Sequence, residues 1–210
     1  MATRLDGTVA LVTGASSGIG EATALALAAE GAAVALAARR RDRLDALARK
    51  IEGDGGRVLV TETDVTDEAQ AAAAVEATVE QLGRLDVVIN NAGLMLLGPI
   101  VGADTSEWRR MVELNVLGLM YVTAAALPHL LRAAEEGPRR VSDLVNVSSV
   151  AGRVARLNSG AYNATKWAVN AFSEALRQEV TERHVRVALV EPGAVSTELA
   201  GHNRPEVPPG

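Results

Sequence analysis

At 210 residues, 48% of them hydrophobic and 22% charged, the chain is long enough to bury one core without staples and too apolar for a disordered tail. It has no cysteine, which excludes disulfides, zinc–thiolate sites and a thiol nucleophile. A net charge of −5 without a dominant basic patch argues against a nucleic-acid partner; no apolar run reaches the roughly 18 residues of a bilayer span and residues 1–7 lack the apolar core of a signal peptide, so a cytoplasmic protein without membrane contact is expected.

Residues 9–13, Val-Ala-Leu-Val-Thr, read as a short buried strand that stops at Gly14. Residues 21–30 form an alanine- and leucine-rich helix with Gly31 at its C′ position. A second strand follows over 33–38. Leu44, Leu47, Ala48 and Ile51, three and four apart, predict an amphipathic helix over 41–52. After the turn Gly53-Asp54-Gly55-Gly56 come a strand over 58–63, a helix over 67–82 closed by Gly83, and a strand over 86–90. A long helix spans 106–131 with a disturbance at Pro128, and residues 135–140 read as a surface loop. A fifth strand over 143–148, a long helix over 162–183 and a sixth strand over 185–190 complete the pattern. Apolar strands alternating with helices predict an α/β fold, a parallel sheet covered on both faces. Right-handed crossovers make it doubly wound. No linker divides the chain, so one nucleotide-binding domain over 1–200 is expected, followed by a polar, proline-rich segment over 201–210.

Thr13-Gly14-Ala15-Ser16-Ser17-Gly18-Ile19-Gly20 joins the first strand to the first helix. Glycines let backbone approach a pyrophosphate, and a helix N-terminus offers free N–H groups. Alone, the loop reads equally as a tight strand-to-helix turn. Tyr162 and Lys166 are four apart and share a helix face. An ammonium there is expected to lower the phenol pKa from about 10 and poise it as a general acid/base. The chain has two tyrosines, and Lys50 and Lys166 are its lysines, so the pairing stands out. Ser149, at the end of the fifth strand, can donate to a carbonyl or alkoxide oxygen.

These residues, with Asn90-Asn91-Ala92-Gly93 after the fourth strand and Pro192-Gly193 after the sixth, resemble the short-chain dehydrogenase/reductase family over about residues 5–200. The resemblance implies a Rossmann-type sheet in strand order 3-2-1-4-5-6. It also implies a catalytic tetrad of Asn115, Ser149, Tyr162 and Lys166, with Asn115 helping to hold a water that links the lysine to solvent. Cofactor-binding residues are implied at Gly14, Ser16, Ser17, Gly18, Ile19 and Gly20, at Asn91, Ala92 and Gly93, and at Tyr162 and Lys166. Asp64 would receive the adenine amino group with Val65 beside it, unless Asp64 only caps its turn. Pro192, Gly193 and Thr197 would position the nicotinamide. Where NAD-using members carry an acid at the end of the second strand this chain has Ala38, followed by Arg39 and Arg40. No carboxylate repels a 2′-phosphate there and two guanidiniums can clamp it, with Arg39 as the main contact and Arg40 the more exposed one. A solvated helix start is the alternative, since Arg41 and Arg43 continue the run.

The implied activity is NADP(H)-dependent reduction of an aldehyde or ketone, and its reverse. A non-catalytic NADP(H)-binding protein and a nucleotide-sugar epimerase are the alternatives. Several stretches, among them Ala37-Ala38-Arg39-Arg40 and Met95-Leu96-Leu97-Gly98-Pro99, are similar to a subgroup of NADPH-using aldehyde reductases. Leu94 to Pro99, Val150, Val154 and Leu157 should wall an apolar pocket, and Arg153 and Arg156 could face pocket or solvent. No metal is required, and His129, His184 and His202 have no ligand spacing. Relatives continue past Thr197 through a substrate loop, a helix and a seventh strand, so that strand is expected to be absent. A homodimer or homotetramer through the two long helices is expected.

Overall fold

The structure, a computed structural model, describes residues 4–202. The remainder of the expected 201–210 segment lies outside the described residues. Six strands, β1 (Val9–Thr13), β2 (Ala33–Ala38), β3 (Val58–Glu62), β4 (Val87–Asn90), β5 (Ser142–Val147) and β6 (Val185–Val190), form one sheet in the order β3-β2-β1-β4-β5-β6. Every pair is parallel, with Val12 beside both Leu36 and Ile89 at the sheet centre.

Alternation along the strands splits the core in two. Val9, Leu11, Ala35, Val88 and Leu144 face Val75, Val122, Leu130, Leu176 and Val180. These belong to α3 (Glu68–Leu82), α5 (Leu119–Glu136) and α6 (Gly160–Val180). Ala10, Val12, Val34, Leu36 and Ile89 face Ala24, Leu44, Leu47, Ala48 and Ile51, from α1 (Gly18–Ala29) and α2 (Arg41–Gly53). All four apolar positions predicted for the α2 stripe are buried. Asp67 caps α3 by accepting from the Gln70 N–H at 3.0 Å, and Gly83 ends it in the left-handed region.

Three departures from the expected helix boundaries bear on the site. Helix α1 starts at Gly18 rather than residue 21, so the loop's last two glycines sit in its first turn. The long helix is longer and compound: α4 (Thr105–Val112), a π-helical turn (Glu113–Gly118) and α5 run without a break to Glu136. Pro128 does not end it; Ala126 and Leu130 on either side are held in the core, and that packing outweighs one missing backbone bond. The expected loop over 135–140 therefore shrinks to the residues after Glu136. This 32-residue rod is apolar enough to cross a membrane by length and composition, contrary to the reading of the sequence in short runs. Its buried residues pack on the sheet. Third, α6 begins at Gly160, which puts Tyr162 in its first turn.

Candidate active site

Parallel strands carry their C-terminal ends to one edge, and loops from β1, β2, β4, β5 and β6 meet there around a cleft of about 920 Å³. At one end lies the glycine loop. Gly14 has φ +63° and a Cβ there would stand 2.8 Å from the Ala92 Cα; at Gly20 a Cβ would overlap Asn91 Nδ2 and the Gly14 carbonyl. Asn91 is the reason for the crowding. Its Nδ2 donates to the carbonyls of Thr13 (3.0 Å) and Gly14 (3.2 Å). The Asn91 and Ala92 N–H groups both donate to Thr13 Oγ1. The Asn90-Asn91-Ala92-Gly93 segment thus pins the β1 turn to β4.

Ser17, the N-cap of α1, gives its helix no side-chain cap; its Oγ instead accepts from Arg40 at 2.7 Å. The first N–H groups of α1 therefore open on the cleft, a positive site suited to a pyrophosphate. A Cβ on Gly193 would meet nothing within 4 Å, so the far wall leaves room for a ring. These features fit a dinucleotide laid from β2 across to β6. No group of three or more His, Cys, Asp or Glu among the described residues could hold a metal ion.

At the β2 end the expected order of exposure of the two arginines is reversed. Arg39 is 72% exposed and its nearest acid, Asp64, is 3.8 Å away. Arg40 is held more firmly: its Nε and Nη2 donate to Ser16 Oγ at 3.1 and 3.0 Å, in addition to Ser17. Asp64 does cap its turn, accepting from the Thr66 N–H and hydroxyl on Oδ1. Its Oδ2 faces Arg39 at 3.8 Å. Val65 is buried beside it.

At the other end Ser149, Tyr162 and Lys166 come together. Ser149 Oγ accepts from the Ala151 N–H at 3.1 Å and lines the cleft with Tyr162, whose phenol pKa it lowers. Lys166 Nζ lies 5.8 Å from the Tyr162 ring centroid and donates to the Val147 carbonyl at 2.9 Å. Asn115, in the π-helical turn, accepts from the Leu94 N–H (2.7 Å) and donates to the Leu94 carbonyl (2.8 Å) and to Thr165 Oγ1 (3.1 Å). Its amide bonds protein at both ends and clamps the wall after Gly93 to α6. The π turn is what swings this buried amide out of helical register. Leu94, Met95, Leu97, Val150, Val154, Leu157 and Arg156 line the cleft, whereas Arg153 does not; it pairs with Glu191 at 2.7 Å.

The family model described as short chain dehydrogenase matches residues 8–208. The chain belongs to this family. It is 40% identical over 196 residues to an uncharacterized oxidoreductase of Staphylococcus saprophyticus, covering 92% of this chain and 76% of that one. An alcohol dehydrogenase of Thermococcus sibiricus, solved with 5-hydroxy-NADP, superimposes with TM-score 0.86 at 33% identity, over 96% of this chain and 82% of its own. A 3-ketoacyl-(acyl-carrier-protein) reductase of Brucella melitensis, solved with NADH, gives TM-score 0.87 at 35% identity over 95% and 80%. Membership supports an oxidoreductase acting between alcohol and carbonyl groups with a nicotinamide cofactor.

In this short-chain dehydrogenase, the electrostatics of the pair correct one expectation. The Tyr162 phenol is pushed above its ordinary pKa, not below it: burial raises it, against the lowering by Ser149's hydrogen bond. Lys166 is desolvated as well, its pKa brought down to about 8, and its Nζ donates to Val147. The phenol therefore keeps its proton at neutral pH.

This has a consequence for stability. Lys166 has the ordinary lysine pKa of 10.5 when unfolded and one of about 8 when folded. Between those values the unfolded chain holds a proton the folded chain has lost, so stability rises with pH across that window. The full effect is roughly 3 kcal/mol. Lys166→Met lacks it. In urea titrations at pH 7 and pH 10, wild type should gain on Lys166→Met by a few kcal/mol at the higher pH, while the lost bond to Val147 adds a pH-independent offset. An unchanged difference would show that Nζ is solvated.

Three residues of the site were not anticipated. Asn163 Nδ2 donates to the carbonyls of Ala151 and Val154 and holds the loop before Tyr162. Asn170 accepts from Ser148 at 2.6 Å and donates to Gly152 O and Glu191. Their signal was a buried-face spacing from Tyr162 and Lys166 on α6. Glu198 reaches Arg40 from far along the chain, and no local pattern announces it.

Proposed function

We propose that the protein is an NADP(H)-dependent oxidoreductase that reduces an aldehyde or ketone to an alcohol, reversibly, with Asn115, Ser149, Tyr162 and Lys166 as its tetrad. The observation that carries this is a buried Tyr162 grouped with Ser149 and Lys166 in a cleft whose other end is an uncapped helix start beside Arg39 and Arg40. The nicotinamide, when bound, supplies or accepts hydride. Tyr162 donates its proton to the carbonyl oxygen, and Ser149 holds that oxygen as charge develops. Lys166 would bind the nicotinamide ribose, and Asn115 positions α6 against the Leu94 wall. Pro192, Gly193 and Thr197 would seat the nicotinamide, with Gly14, Ser16, Gly18, Ile19 and Gly20 at the pyrophosphate.

Val150, Val154 and Leu157 are exposed at the cleft's rim, Leu157 at 92%. A substrate with an apolar body fits them. The two related enzymes were solved with NADP- and NADH-type cofactors, so the preference for NADP(H) rests on Ala38, Arg39 and Arg40. Turnover of a panel of aldehydes and ketones with NADPH, and with NADH, tests the reading. Activity with NADH alone, or with neither, would contradict it.

The protein is also proposed to be a homo-oligomer. Leu119, Val122, Val169 and Leu176 turn into the core, while Val112 (45%), Leu117 (37%) and Trp167 (51%) lie exposed on the rod and α6. These outward apolar side chains need a partner. Light scattering at micromolar concentration should give at least a dimer; a monomer would contradict the assignment of this face.

A further inference from the structure

The 2′-phosphate corner of the cleft contains an acid. Glu198 opens a 3₁₀ turn (Glu198–His202) and lays its two carboxylate oxygens on two different guanidiniums: Oε2 on Arg40 Nη1 at 2.7 Å and Oε1 on Arg43 Nη1 at 2.8 Å. Arg40 is the same side chain whose other nitrogens hold Ser16 and Ser17 of the glycine loop. Glu198 lines the cleft with Arg39, Arg40, Ser16 and Ser17. A carboxylate bridging two arginines beside two serine hydroxyls is the arrangement a bound phosphate monoester would take.

We propose that Glu198 is a cofactor-specificity residue: it competes with the 2′-phosphate of NADP(H) for Arg40 and Arg43 and so narrows the discrimination between NADP(H) and NAD(H). This rests on the NADP(H) reading of the site. All three partners are about half exposed, between 42% and 48%, so the ion pairs are solvent-screened and exchangeable. The phosphate brings up to two charges against the carboxylate's one, which favours exchange over exclusion. Glu198 stays ionised throughout the working range, since the hydrogen bonds from Arg40 and Arg43 hold its pKa down at about 2. Protonation therefore does not release it; an incoming anion must. Release also frees the segment carrying Thr197, which lies against Gly18 at the mouth of the pyrophosphate site. A 2′-phosphate thus loosens the strap over the cleft that a 2′-hydroxyl leaves in place.

The test compares wild type with Glu198→Gln by calorimetric titration with 2′,5′-ADP and with 5′-AMP at one ionic strength, so that no turnover is involved. Glu198→Gln keeps the shape and removes the competing charge. It should tighten 2′,5′-ADP about tenfold and leave 5′-AMP within twofold, whether or not wild type already prefers 2′,5′-ADP. If wild type prefers 2′,5′-ADP and Glu198→Gln leaves that preference unchanged or smaller, Glu198 is no competitor, and the NADP(H) reading survives. If neither protein distinguishes the two nucleotides, the NADP(H) reading and this inference both fall.

Discussion

Tyr162→Phe should abolish carbonyl reduction while leaving NADPH binding intact. Tyr162 is 6% exposed and its ring packs with Leu96 and Met111, so the substitution keeps the packing and removes only the hydroxyl. In the proposed mechanism that hydroxyl is the proton donor, and loss of a positioned general acid costs about a hundred- to ten-thousand-fold in rate. Losing one hydroxyl's hydrogen bonding costs roughly 1 kcal/mol of stability, too little to unfold a domain of this size. The check is kcat with a turned-over aldehyde alongside the Kd for NADPH. Retention of most of the wild-type rate would remove Tyr162 from the chemistry. A parallel loss of NADPH affinity would make its role one of binding.

The second large effect is in cofactor choice. Wild type should bind NADPH at least tenfold more tightly than NADH, since one charge-assisted contact is worth about 1.5–3 kcal/mol and about 1.4 kcal/mol is tenfold. Arg39 and Arg40 should then separate in a way the structure dictates. Arg39 is 72% exposed with only a distant acid, so Arg39→Ala should weaken NADPH and spare NADH. Arg40 also orders Ser16 and Ser17, so Arg40→Ala should weaken both. Ala38, buried at the end of β2, takes the place of the acid that holds a ribose 2′-hydroxyl. Ala38→Asp with Arg39→Ala should therefore reverse the preference. Paired dissociation constants at fixed ionic strength decide it; equal wild-type affinities would make Arg39 a solvated helix-start residue and sink the assignment.

The sheet was legible because its strands, such as Val9–Thr13 and Ala33–Ala38, are apolar on both faces and separated by amphipathic stretches. Glycine at 31 and 83 marked helix ends correctly, each at φ +93°. Periodicity failed where backbone changes pitch without changing composition. Nothing in Glu113-Leu114-Asn115-Val116-Leu117-Gly118 distinguishes a π turn from an α-helix, although it is this turn that lets Asn115 clamp Leu94. The local motifs placed Gly14, Asn91, Ser149, Tyr162 and Lys166 around one cleft, because each lies directly at a strand end or one helix face from it. Two kinds of information were out of reach. Spacing gives proximity but not solvation, so the Tyr162–Lys166 pair suggested an acidified phenol when burial raises it. Ala38 suggested a corner free of acids, when Glu198 enters it from 158 residues beyond Arg40.

The most direct measurement of the central claim is the fate of label from NADPH deuterated at the transferring carbon, incubated with the protein and a reducible aldehyde in ordinary water. Hydride transfer at this site predicts an alcohol carrying deuterium on its former carbonyl carbon, formed by wild type and lost with Tyr162→Phe. NADPH that binds tightly while no aldehyde or ketone acquires label would contradict the account, and would make the cleft a nucleotide-binding site without catalysis.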